Sequence, residues 1–105
     1  MFVHAILLLA HCDAFERDTD YPSNDIQAGG ISGRVPKVMQ SAEECRKACV
    51  EKASCAGFTY IMKDKDKHNC ALKSVLDSGT KRRDRGCISG KVTESCRKDY
   101  EGISF

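Results

Sequence analysis

The chain has 105 residues, 7 of them cysteine, and a formal net charge of +2 at pH 7. That length holds one domain at most, with a core thin enough for covalent staples to matter. Charge so close to balance argues against a nucleic-acid partner, and cysteine usage this dense points to an oxidising, secreted setting.

The chain opens on MFVHAILLLAHC. Its apolar run, AILLLA, is too short to span a bilayer, so no membrane span is expected. No Lys or Arg precedes it, which makes it a poor signal peptide. Two readings of residues 1–11 stay open: a degenerate signal cleaved near Ala10 or Ala14, or an upstream segment of a longer secreted protein. A buried N-terminal strand ranks below both. Residues 13–37 are rich in turn formers, with a turn expected at Tyr21-Pro22-Ser23-Asn24-Asp25 and breaks at Gly29-Gly30 and Ser32-Gly33. Short strands are expected around Phe15 and over Val35 to Met39.

Ser41 to Lys52 carries the one clear helix signal. Ser41 is a good N-cap and Glu44 completes a capping box. Glu43 and Lys47 are spaced for an i,i+4 pair on the solvent face. Ala42, Cys45, Ala48 and Cys49 fall on the opposite face at helical spacing. Gly57-Phe58-Thr59-Tyr60-Ile61 follows as a strand, rich in aromatic and β-branched residues. The charged run 63–68 is expected to be a solvated loop, and Asn69 to Val75 the second strand of a long hairpin. TKRRDRG, residues 80–86, has the look of another polar loop. Cys87 to Thr93 is a third strand candidate, interrupted by Gly90. After Cys96 the polar residues 97–105 are expected to form a fraying tail.

Three chemistries compete for the cysteines. Zinc would use Cys45 and Cys49 one helical turn apart, with His68 and Cys70. However, C-x3-C-x5-C is not the usual ligand spacing, and Cys55 is left over. A cysteine nucleophile would need a histidine partner from His4, His11 or His68, and no ordered protease or C-x-x-C signature is present. Disulfide staples fit best. Neither a cofactor nor catalysis is expected. Spacing alone does not settle connectivity, since six cysteines allow about 15 pairings.

The stretch SAEECRKACVEKASCAGFTY, then HNCALKS, then CISGKVTESC resembles the PAN/apple domain family over about residues 12 to 96. DAFERDTDYPSNDI is similar to the segment that opens the family's domains. The resemblance implies a small α+β fold: an antiparallel sheet wrapped around one helix. It also implies the pairs Cys45–Cys70 and Cys49–Cys55, with an outer Cys12–Cys96 bond as in apple-type members. Cys87 departs from the pattern and is left unpaired. If Cys12 were removed with a leader, Cys87–Cys96 would become the default pair.

Members of this family bind proteins or carbohydrates and do no chemistry. FERDTDY and the lone domain look most like the microneme adhesins of apicomplexan parasites, some of which are galactose-type lectins. The implied function is an extracellular adhesion module for a host-cell glycan or protein. Tyr60, Lys73, Lys91 and Tyr100 are the candidate sugar contacts. Lys81, Arg82, Arg83 and Arg85 are candidate contacts for a sulfated polyanion. The alternative is a structural module that holds other domains of a larger protein, with Cys87 available for an intermolecular bond.

Overall fold

The computed structural model describes residues 11–26, 34–64 and 68–101. The leading apolar run, both glycine breaks and part of the 63–68 loop lie outside these residues. The described elements are β1 (Glu16–Asp20), α1 (Ala42–Val50), β2 (Gly57–Ile61), a short 3-10 turn (Met62–Asp64), β3 (Cys70–Lys73), β4 (Arg82–Lys91) and α2 (Glu94–Glu101). The strands form one antiparallel sheet in the order β1-β4-β2-β3. This is the α+β architecture that the sequence implies, with a second helix added.

Local chemistry explains α1. Ser41 accepts the Glu44 backbone N–H at 3.2 Å. The Glu44 carboxylate reaches back past the cap to the backbone N–H of Gln40 at 2.9 Å, so one orphan donor of the helix and the N–H just before its cap are both satisfied. The helix lays Ala42, Cys45 and Cys49 against Phe58, Tyr60, Cys70, Leu72 and Ile88 of the sheet, with Met39 and Val92, just past β4, beside them. Glu43 does not pair with Lys47. It is the ion-pair partner of Arg46, and Lys47 lies 3.9 Å from Glu51.

Several expectations are corrected. Val35 to Met39 is not a strand. Val35 donates to Cys70 C=O at 2.9 Å, but Pro36 has no N–H and the ladder stops there. Thr80 to Gly86 is not a loop beyond Lys81, because Arg82 to Gly86 form the first half of the ten-residue β4. Acids supply the reason: Lys81 pairs with Glu16 at 2.8 Å and Arg82 with Asp20 at 3.1 Å, so β1 neutralises the charged run as it pairs with it. The β1–β4 register shifts between Arg17 and Thr19, where Asp18 takes a left-handed φ of 52°.

Gly90 does not interrupt β4. It makes room, since a Cβ there would lie 2.8 Å from Phe58 Cε1, and Phe58 is fully buried. Gly90→Ala is therefore expected to cost about 1–3 kcal/mol through overpacking, read as a lower urea midpoint at unchanged slope.

The tail does not fray at Cys96. Residues Glu94–Glu101 are helical, so the folded unit reaches at least Glu101. Thr93 Oγ1 accepts the Cys96 N–H at 3.2 Å and caps this helix. Tyr100 is buried, and its hydroxyl accepts from Arg46 Nε at 3.2 Å. The Arg46 guanidinium also stacks 4.8 Å from the Phe15 ring centre, so one buried arginine ties the entry segment, α1 and α2 together. Arg97 donates to the carbonyls of Val50, Lys52 and Cys55, closing the exit of α1.

The outer edge of β3 is also occupied. Ile26 donates to Leu72 C=O at 2.8 Å and Ser74 to Asn24 C=O at 2.9 Å, with a bridge between Asp25 and Lys73.

Candidate functional site

Three disulfides frame the domain. Cys45–Cys70 joins α1 to β3, Cys49–Cys55 closes the loop after α1, and Cys12–Cys96 joins the entry segment to α2. These sulfurs are committed to one another, which removes the zinc reading of Cys45, Cys49 and Cys70. Among the described residues no group of three or more His, Cys, Asp or Glu side chains is placed to hold a metal ion. None of the described helices is long and apolar enough to cross a membrane.

Cys87 is the free cysteine, and it is only 2% exposed. It packs with Ile61 and Ala71 on the sheet face away from α1. Burial, then the carboxylates of Asp84 and Asp20, push its thiol up to about 11. A thiol so placed is a poor candidate for a bridge to another chain. It should resist iodoacetamide at pH 8 and react only as the chain unfolds; labelling at the rate of a free cysteine would contradict this burial. The fold favours the protonated thiol. Its contribution is intact below the ordinary value of 9 and declines as pH climbs from there towards about 11.

The four sugar-contact candidates do not converge. Tyr60 is a core residue whose hydroxyl donates to Met39 C=O at 3.0 Å. Lys73 is buried and held by Asp25. Lys91 is exposed at the end of β4, opposite Gly57. Tyr100 lies on α2, where its hydroxyl is held by Arg46 of α1. The reason is strand alternation: Tyr60 points to α1, whereas Lys73 points to the open face.

The basic run is also less basic in space than in sequence. Glu16 holds Lys81, and Asp20 and Asp84 flank Arg82. Arg83 and Arg85 are exposed, and neither has an ion-pair partner among the described residues.

Besides an open recess of about 550 Å³ over Arg17, Asp18, Thr19, Lys81, Arg82 and Arg83, two smaller ones are present among the described residues. One crosses the open sheet face, about 290 Å³, with Thr59, Ala71 and Cys87 in its lining and Asp25, Lys73 and Asp84 around them. Its charges are already matched. Lys73 is held by Asp25, and Lys63 lies 2.9 Å from Asp84, whose carboxyl it holds below the usual range. Thr59 and Ser89 share a hydroxyl hydrogen bond of 2.7 Å between β2 and β4.

The other recess, about 250 Å³, lies between α1 and α2. Val50 and Tyr100 supply its apolar walls and Arg97 lies between them, fixed to the α1 exit. Lys47, Glu51 and Glu101 complete its lining. Only Tyr100 of this set figures among the sequence candidates. Lys47 and Glu51 look like solvent-face residues until α2 is brought beside them.

A family model described as PAN domain matches residues 19–73. Comparison with curated proteins returns no match. The PAN match ends at β3, before β4 and α2, which lie in the same disulfide-framed unit. PAN domains are binding modules and generally not catalysts, and three disulfides fit an extracellular setting. With more than half of the chain matched, and with an antiparallel sheet packed on a stapled helix, this chain belongs to the PAN domain family.

Proposed function

We propose that the chain is an extracellular adhesion module that takes a carbohydrate between α1 and α2. The observation that carries this reading is the recess lined by Lys47, Val50, Glu51, Arg97, Tyr100 and Glu101. It joins an aromatic ring and an apolar side chain to two cations and two carboxylates. That is the combination a sugar needs: a flat apolar surface with hydrogen-bonding groups at its rim. At about 250 Å³ it falls just below the roughly 300–1,000 Å³ of drug-sized sites, a scale that suits one sugar ring. The likeness of FERDTDY to microneme adhesins agrees with a host-cell glycan as the ligand.

The non-reduced domain on a glycan array is expected to bind a defined set of sugars, and Lys47→Ala with Glu51→Ala to abolish the signal. An array without hits overturns the carbohydrate reading. Hits that survive the double change move the site elsewhere.

Protein adhesion is the second reading, favoured by the charged recess on the open sheet face. Arg82→Ala with Asp84→Ala should then reduce binding to protease-sensitive cell surfaces. The polyanion reading through residues 81–85 rests on Arg83 and Arg85. Heparin retention unchanged after replacing these two removes it.

A further inference from the structure

The three disulfides differ in how a reductant meets them. In Cys45–Cys70 both cysteines are 0% exposed, and in Cys49–Cys55 the values are 0% and 3%. Cys12 is half-buried at the rim, while its partner Cys96 is fully buried. A thiolate arriving from solvent therefore finds its best-exposed sulfur at Cys12. Attack there makes Cys96 the leaving group.

Position favours that departure. Cys96 lies in the first turn of α2, two residues past the start of an eight-residue helix. Backbone N–H groups and the helix dipole at that end stabilise a thiolate and make it a good leaving group. Cys49, by contrast, is the second-last residue of α1, where the dipole opposes a thiolate. Cys45 is enclosed by the core, in the cluster with Phe58 and Tyr60. Access and leaving-group chemistry thus single out the same bond.

The bond also holds a movable part. It ties α2 to the entry segment at residue 12, next to a polar clasp in which Asp99 accepts from the His11 backbone N–H at 2.7 Å and lies 2.9 Å from its Nδ1. Beyond it, α2 rests on the Arg46–Tyr100 contact and the Arg97 bonds.

We propose that Cys12–Cys96 is a redox clasp, opened by a dithiol reductant, that controls how firmly α2 is docked against α1. The reductant thiolate bonds to Cys12 Sγ as the Cys12–Cys96 bond breaks. Cys96 leaves as thiolate and takes up a proton. The second thiol of the reductant then attacks its own sulfur in the mixed disulfide. This releases Cys12 as a thiol and leaves a cyclic oxidised reductant. The protein gains two electrons and two protons in total, and the sheet keeps its two inner staples.

The test treats the native, fully oxidised chain with limiting dithiothreitol, without denaturant, and blocks thiols with N-ethylmaleimide at intervals. Peptide mapping should show Cys12 and Cys96 labelled together, at least about ten-fold faster than any inner cysteine. Hydrogen exchange after this partial reduction should rise in residues 94–101 and stay unchanged in β2 and β3. Simultaneous labelling of all three pairs, or Cys49 and Cys55 labelled first, overturns the selectivity. Selective reduction with unchanged exchange in α2 overturns the control of docking. Cys12→Ala with Cys96→Ala should show the raised α2 exchange without reductant, and protection equal to the oxidised chain would count against the clasp.

Discussion

Replacing Cys45 and Cys70 together by alanine is expected to leave a chain that does not fold at 37 °C. The bond closes a loop of about 26 residues, worth roughly 3.5 kcal/mol on the chain-entropy model. Both sulfurs are fully buried between α1 and β3, so their loss leaves a void in the main core. That void adds about 1–2 kcal/mol. The total approaches the lower end of a small domain's net stability, about 5–15 kcal/mol. Removing Cys12 and Cys96 should act differently. Their loop of about 85 residues is worth roughly 4.6 kcal/mol on the same model. Yet α1 and the sheet keep their own contacts and two inner disulfides in this change, and of the two sulfurs only Cys96 is fully buried. This variant should keep its sheet at 25 °C and melt at a lower temperature. Urea titrations followed by far-UV circular dichroism compare the two. A Cys45/Cys70 variant that unfolds later than the Cys12/Cys96 variant would reverse the ranking.

Asn69→Ala is expected to cost about 2–4 kcal/mol. Asn69 is 0% exposed and serves as a mimic of backbone. Its Oδ1 accepts the Met39 N–H at 2.9 Å and its Nδ2 donates to Met39 C=O at 3.0 Å. Alanine leaves the N–H unpaired in the interior, where an orphan group costs about 1–3 kcal/mol, and opens a small void besides. Tyr60 also donates to that carbonyl, so Tyr60→Phe should cost only about 1 kcal/mol. Asn69→Asp keeps the acceptor but sets a buried carboxylate oxygen against the Met39 carbonyl, and should cost at least as much as Asn69→Ala at neutral pH. Guanidinium titrations of the three variants give the order. Equal losses for Asn69→Ala and Tyr60→Phe would show that the Met39 segment is not held by Asn69.

What the sequence made legible follows the range of each interaction. Helix α1 was readable because its cap and its buried face are local, encoded between Ser41 and Cys49. Strand β2 was readable because Phe, Thr, Tyr and Ile all favour a pleated surface. The first half of β4 was not, since three arginines look like loop until Glu16 and Asp20, more than sixty residues earlier, are set beside them. Helix α2 has only Cys96 and Tyr100 on its buried face, four apart, and its order depends on Arg46 from another helix. The disulfide pairs came from family resemblance, not from spacing. The candidate site was half visible. Tyr100 stood out as an aromatic, whereas Lys47 and Glu51 gain meaning only once α2 packs beside them.

The covered margin of β3 bears on how this protein behaves in a crowded medium. A sheet that ends in bare carbonyls and amides invites another copy to add a strand, and fibres grow by that route. Here segment 24–26 and Val35 take up bonds on the outer side of β3, so that side gives a second copy little to continue. At the opposite margin, β1 carries the charges of Glu16, Arg17, Asp18 and Asp20 and a kink at Asp18, which make a poor template. Both ends of the described sheet are thus guarded against self-polymerisation, and the domain should stay dispersed at concentrations where a bare sheet edge would seed fibres.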